Sequence, residues 1–495
     1  MRERLKNPPA PEFVKYILKP LLEKDAKQSF KYFNNINKAH LLMLLKQGIL
    51  DKNTVSKIAK ALLEVDKRGP QNIDLDPARE DLSSCIEAAI MEICTQEIGG
   101  RLHTGRSRND LGGTVTRMFM RDKYLKTCKQ ILELREFILN FAAPYTETVC
   151  TGYTCGQAAE PITVAYYFAA HLSALERDYE RFSAIYKRLN QCPLGSCAMA
   201  STTFPINRAI TAHYLGFDTA TINSLDGIAA RDYILEILGT LSIFMNNLSR
   251  LCQDLYVWSS VEFGLVDIDS SVSMCSSIMP QKKNPVTLEH IKAKAAHVEG
   301  DFVSALGALK STIYTQVRDA SIEAAHSMND ALDEVEASIK LLIATLDTMV
   351  INKERMLHEA KTNFCTVSEL ANTLVRDCGL SFRHAHSTVA GLVAYMLDNE
   401  LKPNDINRAM VKKLAYEIIG KDISITDEHI RHALDPIPNV FARDVEGGPA
   451  PIQVIKQLTM MRKKLEEDKR ELTNRVNMQK RAEEELNKDT QEICR

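Results

Sequence analysis

A chain of 495 residues, 45% apolar and 25% charged, has the composition of a folded globular protein of about two to four domains. A formal net charge of −2 gives no basic surface for nucleic acid and no attraction to anionic lipid, so neither partner is expected. No apolar run reaches the roughly eighteen residues that a bilayer span needs, and Met1–Pro9 has no apolar stretch behind its charges. A membrane or secreted protein is therefore not expected, and the expected location is the cytoplasm. The 12 cysteines are scattered and form no C-x-x-C pair, which argues against a disulfide framework, a metal site or a metal cofactor.

Residues 1–111 read as an N-terminal helical domain. Lys27–Gly48 is amphipathic, with Phe30, Phe33, Ile36, His40, Leu41 and Leu44 recurring at helical spacing. A second helix covers Leu82–Ile98 and is closed by Gly99 and Gly100. Residues 112–360 read as a central domain of long helices. The first runs from about Asn109 to Phe141, with Met118, Leu125, Leu132 and Leu139 at every seventh position. Pro161 fits the start of the next helix, which continues to about Asn190; Leu194–Arg208 reads as a loop. From about 228 to 258, Ile234, Leu238, Leu241, Met245, Leu248, Cys252 and Leu255 form one seam that needs a partner. At 1.5 Å per residue this helix is about 45 Å long, the longest clean helix in the pattern. Further helices run from Pro285 past Leu309 and over about Ala331–Asp347.

Residues 361–454 read as a small C-terminal helical domain containing helices at Val367–Val375 and His384–Met396. Residues 455–495 read as a charged helix. Leu458, Leu465, Leu472 and Leu486 lie on a seven-residue grid that Gln479 interrupts. Two readings fit: a solvated helix with a thin apolar stripe, or a coiled coil for a partner. Long helices with few strand-like runs between them predict an all-α fold around an elongated bundle.

One stretch stands out from the helical pattern. Ser276–Pro285 (Ser-Ser-Ile-Met-Pro-Gln-Lys-Lys-Asn-Pro) packs turn formers and polar groups between two apolar helices. A loop held between rigid helices is well placed to reach a ligand, although its composition also fits an ordinary interhelical connection. The stretch resembles the G-S-S-x-M-P-x-K-x-N-P signature of the fumarase/aspartase/argininosuccinate lyase superfamily, with Cys275 in place of the glycine. About 170 residues earlier, His103-Thr104-Gly105-Arg106-Ser107-Arg108-Asn109-Asp110 resembles the motif of the argininosuccinate lyase branch. The likeness runs from roughly residue 75 to residue 460.

This resemblance implies three helical regions around a central long-helix bundle, in a homotetramer whose central helices form a common bundle core. Each active site would draw on the Ser107, Thr154 and Ser276 motifs of three different subunits. It also implies elimination of an amine from an N-substituted aspartate, releasing fumarate. Such a reaction needs a base, positive charge around a carboxylate that becomes doubly negative, and a proton for the leaving amine. Family correspondence makes Ser276 the base, with Lys282 and Asn284 stabilising its alkoxide and binding substrate. Ser107, Arg108, Asn109 and Thr154 correspond to carboxylate-binding positions, and the start of the long helix also favours an anion. The substrate implied is a small-molecule dicarboxylate, with no metal and no cofactor.

Besides Cys275, the chain departs from the pattern at three places. Gly152-Tyr153-Thr154-Cys155-Gly156-Gln157 resembles G-Y-T-H-x-Q, with Cys155 at the histidine that pairs with a glutamate, here Glu289. A thiol donor at Cys155, a water held between Cys155 and Glu289, and loss of activity are all compatible with that exchange. The family's E-D-I-H segment reads Glu80-Asp81-Leu82-Ser83. Where argininosuccinate lyases carry Y-N-K-D-L-Q-E-D-K, this chain has Gln316, Arg318, Ser321 and Ala324 at the changed positions and keeps Asp319. Argininosuccinate is the default substrate, and the rebuilt amine end favours another N-succinyl amine. The alternative is an inactive structural or regulatory relative that has lost its acid histidine.

Overall fold

The computed structural model describes residues 5–495; the first four, on which the N-terminal reading partly rests, lie outside it. The fold is all-α, as expected, with strands confined to short two-stranded ribbons. The N-terminal region contains α1 (Phe30–Lys46), α2 (Lys52–Arg68) and α3 (Leu82–Cys94). The central bundle contains α4 (Arg108–Ala142), α5 (Val164–Leu189), α6 (Asp232–Trp258), α7 (Val286–Leu309) and α8 (Met328–Thr348). Then come α9 (Val367–Cys378), α10 (Phe382–Asp398), α11 (Arg408–Ile419) and the final α12 (Pro451–Ile493).

Side-chain pairs along the bundle fix its directions. Arg117 reaches the Arg188 carbonyl and Arg135 reaches Glu176, so α4 and α5 are antiparallel. Tyr167 with Asp254 and Arg188 with Glu236 set α6 antiparallel to α5. Lys292 on Gln253 and Ser242 on the Val298 carbonyl reverse the chain again into α7. Thr287 with Thr345 and Lys294 with Glu334 reverse it once more into α8. The bundle therefore has a head, where α4 and α6 begin, and a tail, where they finish.

The α6 seam predicted from sequence is buried throughout, from Ile234 to Leu255, inside one core shared by α4–α8. A second core lies under α1–α3 at the head, and a third lies within residues 370–434 at the tail. The final helix joins head to tail. At 43 residues it is about 65 Å long and runs back along α4 and α5 to α1. Its leucine stripe faces its own chain: Leu458, Leu465 and Leu472 enter the bundle core and Leu486 the head core. Gln479 breaks the stripe because it crosses polar ground, donating to the Gly216 carbonyl at 2.7 Å and to the Tyr186 hydroxyl at 3.0 Å.

The strap is pinned by charge as well. Arg135 of α4 donates to Asp468 of α12 at 2.7 Å, with both side chains at most 4% exposed, and Lys464 supplies a second cation to Asp468 at 2.9 Å.

Several boundaries differ from the periodicity. Residues 149–163 form a ribbon, β1 (Val149–Thr154) with β2 (Gln157–Thr163), and Pro161 lies in its second strand rather than opening a helix. A two-stranded ribbon has a free edge, where a residue without N–H is tolerated. The helix starts instead at the Thr163 cap, whose hydroxyl accepts from Tyr166 N. Thr95, at φ 75°, stops α3 short of Ile98. Pro285 caps α7 rather than opening it. At 35 and 43 residues, α4 and α12 both exceed the 27 residues of α6.

Replacing Asp468 with alanine leaves the buried Arg135 guanidinium with only the longer contact to Glu176 at 3.4 Å. The expected loss is about 3–5 kcal/mol, read as a lower urea midpoint, with a smaller loss for Lys464→Ala at the exposed cation.

Candidate active site

The Ser107 motif is held by a buried carboxylate. Ser107 caps α4, and Asp110 closes a capping box by accepting from Ser107 N at 2.9 Å. The other Asp110 oxygen accepts from Gly195 N at 2.8 Å and Cys197 N at 2.9 Å. One side chain thus ties the start of α4 to the loop at 194–208. Beneath it, Arg106 is buried and donates to Asn37, and His40 Nε2 donates to the Thr104 carbonyl at 2.9 Å. His103 pairs with Glu87 at 3.3 Å. The serine-to-acid spacing is a capping signal legible in the sequence; the cross-links to Gly195, Cys197 and His40 are not.

Arg108 and Asn109 stand at the mouth of this frame. Arg108 is half exposed and reaches Glu80 at 3.0 Å and Asp81 at 3.1 Å. Asn109 Nδ2 donates to the Ala198 carbonyl. The Gln316–Asp319 segment follows α7 and lies at the same end of the molecule. Gln316 Oε1 is buried there with no hydrogen-bond partner. Asp25, close enough to feel both Asp81 and Arg318, is raised to about 6, chiefly by burial. The head of a single chain therefore gathers Ser107, Arg108, Asn109 and Gln316.

The remaining residues lie at the tail. Thr154 ends β1 and Cys155 occupies the ribbon tip with Gly156, at φ 52° and 74°, the left-handed pair of a tight two-residue turn. Both Thr154 and Cys155 are exposed. The Ser276 loop hangs from a second ribbon, β3 (Met274–Cys275) with β4 (Lys283–Asn284), directly before α7. Ser276 N donates to the Lys282 carbonyl. Ser276 Oγ accepts from Met279 N at 3.0 Å and Ile278 N at 3.4 Å, so two backbone dipoles already point at the hydroxyl oxygen. Lys282 is exposed, Lys283 pairs with Asp267 at 2.6 Å, and Glu289 is exposed in the first turn of α7. Asn284 follows in β4.

The two groups are far apart within one chain. The 35 residues of α4 separate head from tail by about 50 Å. Among the described residues no cluster of three or more His, Cys, Asp or Glu could hold a metal, and no helix is long and apolar enough to cross a membrane.

Residues 20–300 match the Lyase family, and residues 364–440 match the family described as argininosuccinate lyase C-terminal. Argininosuccinate lyase 1 of Shouchella clausii is 45% identical over 471 residues, covering 95% of each chain. The chain belongs to the argininosuccinate lyase branch of the fumarase/aspartase superfamily. Argininosuccinate lyase of Methanocaldococcus jannaschii is 40% identical over 88% of this chain and 89% of its own. Among solved structures, an EDDS lyase variant with bound fumarate superposes at a TM-score of 0.88 with 32% identity, over 99% of this chain and 97% of that one. As a member of this branch the protein is a carbon–nitrogen lyase, and a fumarate-releasing enzyme fits these relationships better than an inactive relative.

The frame under Ser107 has a pH signature. Burial first, and Arg106 beside it, push the His40 imidazole down to about 3, so the unfolded chain binds this proton more tightly than the folded one. Its stabilising contribution is complete above pH 6.5 and is lost as pH falls toward 3, at up to about 1.4 kcal/mol per pH unit. Urea midpoints at pH 7 and pH 5 are expected to differ less in His40→Gln than in the unsubstituted protein.

Proposed function

We propose that the protein catalyses reversible elimination of an N-substituted aspartate to fumarate and an amine other than the argininosuccinate product. What carries this reading is an intact set of carboxylate-binding positions beside a rebuilt amine end. Ser107, Arg108, Asn109, Thr154, Ser276, Lys282 and Asn284 all keep the family's residue types. Gln316, Arg318, Ser321 and Ala324 do not. In this reading Ser276 takes the proton from the carbon beside the substrate carboxylate. The N–H groups of Ile278 and Met279 stabilise its alkoxide, assisted by Lys282. Asn284 and the Ser107 and Thr154 groups hold the carboxylates. The C–N bond breaks, and the amine takes a proton from Cys155 or from a water between Cys155 and Glu289. At the other end, the unpartnered Gln316 oxygen accepts from the amine portion of the substrate.

The assembly proposed is a homotetramer with each site shared by three subunits. Two observations support it. Head and tail groups of one chain are too far apart to act together. One long face of α7, comprising Ala293, Ala296, Gly300, Val303 and Gly307, is exposed at helical spacing. A side chain placed at Gly300 or Gly307 would meet nothing in its own chain, leaving room for close approach by another helix.

Fumarate release from argininosuccinate and a panel of N-substituted aspartates tests the reaction. One non-argininosuccinate compound is expected to turn over best, and Ser276→Ala is expected to lose at least about a hundredfold. Best turnover of argininosuccinate itself would refute the substrate reading. Cys155→Ala is expected to slow elimination and alter its pH profile; an unchanged profile excludes the thiol as donor. Sharing has its own test. Ser276→Ala and Arg108→Ala subunits, each inactive alone, are expected to regain part of the turnover after being dissociated and reassembled together. No recovery in confirmed mixed tetramers would count against shared sites.

A further inference from the structure

The β1–β2 ribbon carries Thr154 and Cys155 at a tip that stands in solvent: Thr154, Cys155, Gly156 and Gln157 are all exposed. Where the tip points is therefore set at the base of the ribbon. Between base and tip the pairing slips, from Gly152 opposite Glu160 to Tyr153 opposite Ala158, so Ala159 is an extra residue on β2. A bulge of this kind bends and twists a ribbon and re-aims whatever lies beyond it. Thr154 follows directly after that bend, so a small rotation of the base is carried to its hydroxyl.

The base is gripped from the C-terminal region. Arg443 donates to one carboxylate oxygen of Glu160 at 2.6 Å, and the Ser368 hydroxyl, in the first turn of α9, donates to the other at 3.0 Å. Arg443 Nε also donates to Asn439 Oδ1 at 3.0 Å. Asn439 is fully buried and donates in turn to the Ala433 carbonyl. One planar guanidinium thus ties Glu160 to the core of the 370–434 region. On the opposite strand, Asn363 Nδ2 donates to the buried Thr151 hydroxyl at 2.9 Å, and Val149 packs with Ala360, Cys365 and Val440. Both strands are held on the side of the bulge away from the tip. The Arg443–Glu160 pair adds little to folding stability, because Glu160 is 51% exposed and water screens it. What the pair does supply is a fixed direction.

On the proposed site, which this inference rests on, the ribbon tip holds a substrate carboxylate. We propose that Arg443 is a positioning residue for the reaction: through Glu160 it fixes the angle at which the ribbon presents Thr154 and Cys155 to substrate. Residues 361–454 supply none of the predicted site residues, and this gives them a part in catalysis. A misplacement of about 1 Å at a binding group costs on the order of a hundredfold in rate.

The test uses the full-length protein with Arg443→Ala, Glu160→Ala and Thr154→Ala, alone and in pairs. Fumarate release is followed from the N-substituted aspartate that the unsubstituted protein turns over fastest, and fumarate binding by titration calorimetry. Arg443→Ala and Glu160→Ala are each expected to lower kcat/KM at least about tenfold and to weaken fumarate binding, at a nearly unchanged urea midpoint. The two together are expected to cost no more than either alone, since each breaks the same pair. In a Thr154→Ala background, Arg443→Ala is expected to leave fumarate affinity within about twofold, because it acts through that residue. Arg443→Lys, which keeps the charge without the forked donor set, is expected to recover part of the loss. Glu160→Ala keeps the test open where Arg443→Ala fails to fold, because Glu160 is exposed. Unimpaired turnover and fumarate affinity in Glu160→Ala would overturn the proposal. So would losses that multiply in the Glu160–Arg443 double variant, or a urea midpoint that falls in step with turnover. Unimpaired turnover and affinity in Thr154→Ala would instead reject the site itself, and the role of Arg443 with it.

Discussion

The length of α4 governs how this molecule can work. Its start carries the capped Ser107–Asn109 motif, its far end leads into the Thr154 ribbon, and the 35 residues between are a rigid rod. The antiparallel return of α5, α6, α7 and α8 then sorts every loop to one of two ends. The Ser276 loop precedes α7 and falls at the tail, while the Gln316 segment follows α7 and falls at the head. No loop rearrangement within one chain closes a gap of about 50 Å. On the proposed reading, a site for an N-substituted aspartate is built from more than one copy.

That arrangement places heavy demands on the precision of each end. At the head, Asp110 is buried to receive three backbone donors from two segments, which fixes the Ser107 turn against the 194–208 loop. His40 and Arg106 underpin the same turn from α1 and the motif itself. At the tail, two small ribbons present Cys155 and Ser276 on exposed loops. α12 couples the ends, carrying its apolar stripe across the bundle core and into the head core, with Arg135 and Asp468 buried midway. The predicted site residues thus lie on loops and element ends, and buried charge holds those in place.

The active-site changes follow the same division. Ser276 and Lys282 lie in a loop, with Asn284 in the strand that closes it, and two backbone donors of that loop point at the serine oxygen. The exchanges lie elsewhere: at the ribbon tip, at Cys275 beside the Ser276 loop, at Ser83 in the first turn of α3, and along the Gln316 segment. Elimination from any N-substituted aspartate needs the same carboxylate and base geometry. The amine differs between substrates, so the groups around it are where the chain can diverge without losing the reaction.

The sequence by itself was enough to determine the all-α class, the α6 seam, the interhelical loop at Ser276–Pro285 and the residue exchanges at Cys155 and Gln316. These are local properties: period, turn composition and residue type at fixed spacing survive without any knowledge of tertiary contacts. The Thr154 ribbon escaped because its short strands alternate poorly and Pro161 mimics a helix start. Gln479 read as a flaw in a leucine grid because the Gly216 carbonyl that it satisfies is 263 residues away. The roles of Asp110, His40 and Asp468 were equally hidden, since each depends on donors or cations brought from distant segments. Only the tertiary structure decided that the predicted site residues divide between two ends. Which end a loop reaches depends on the number and direction of the helices before it, and that sum is settled by packing.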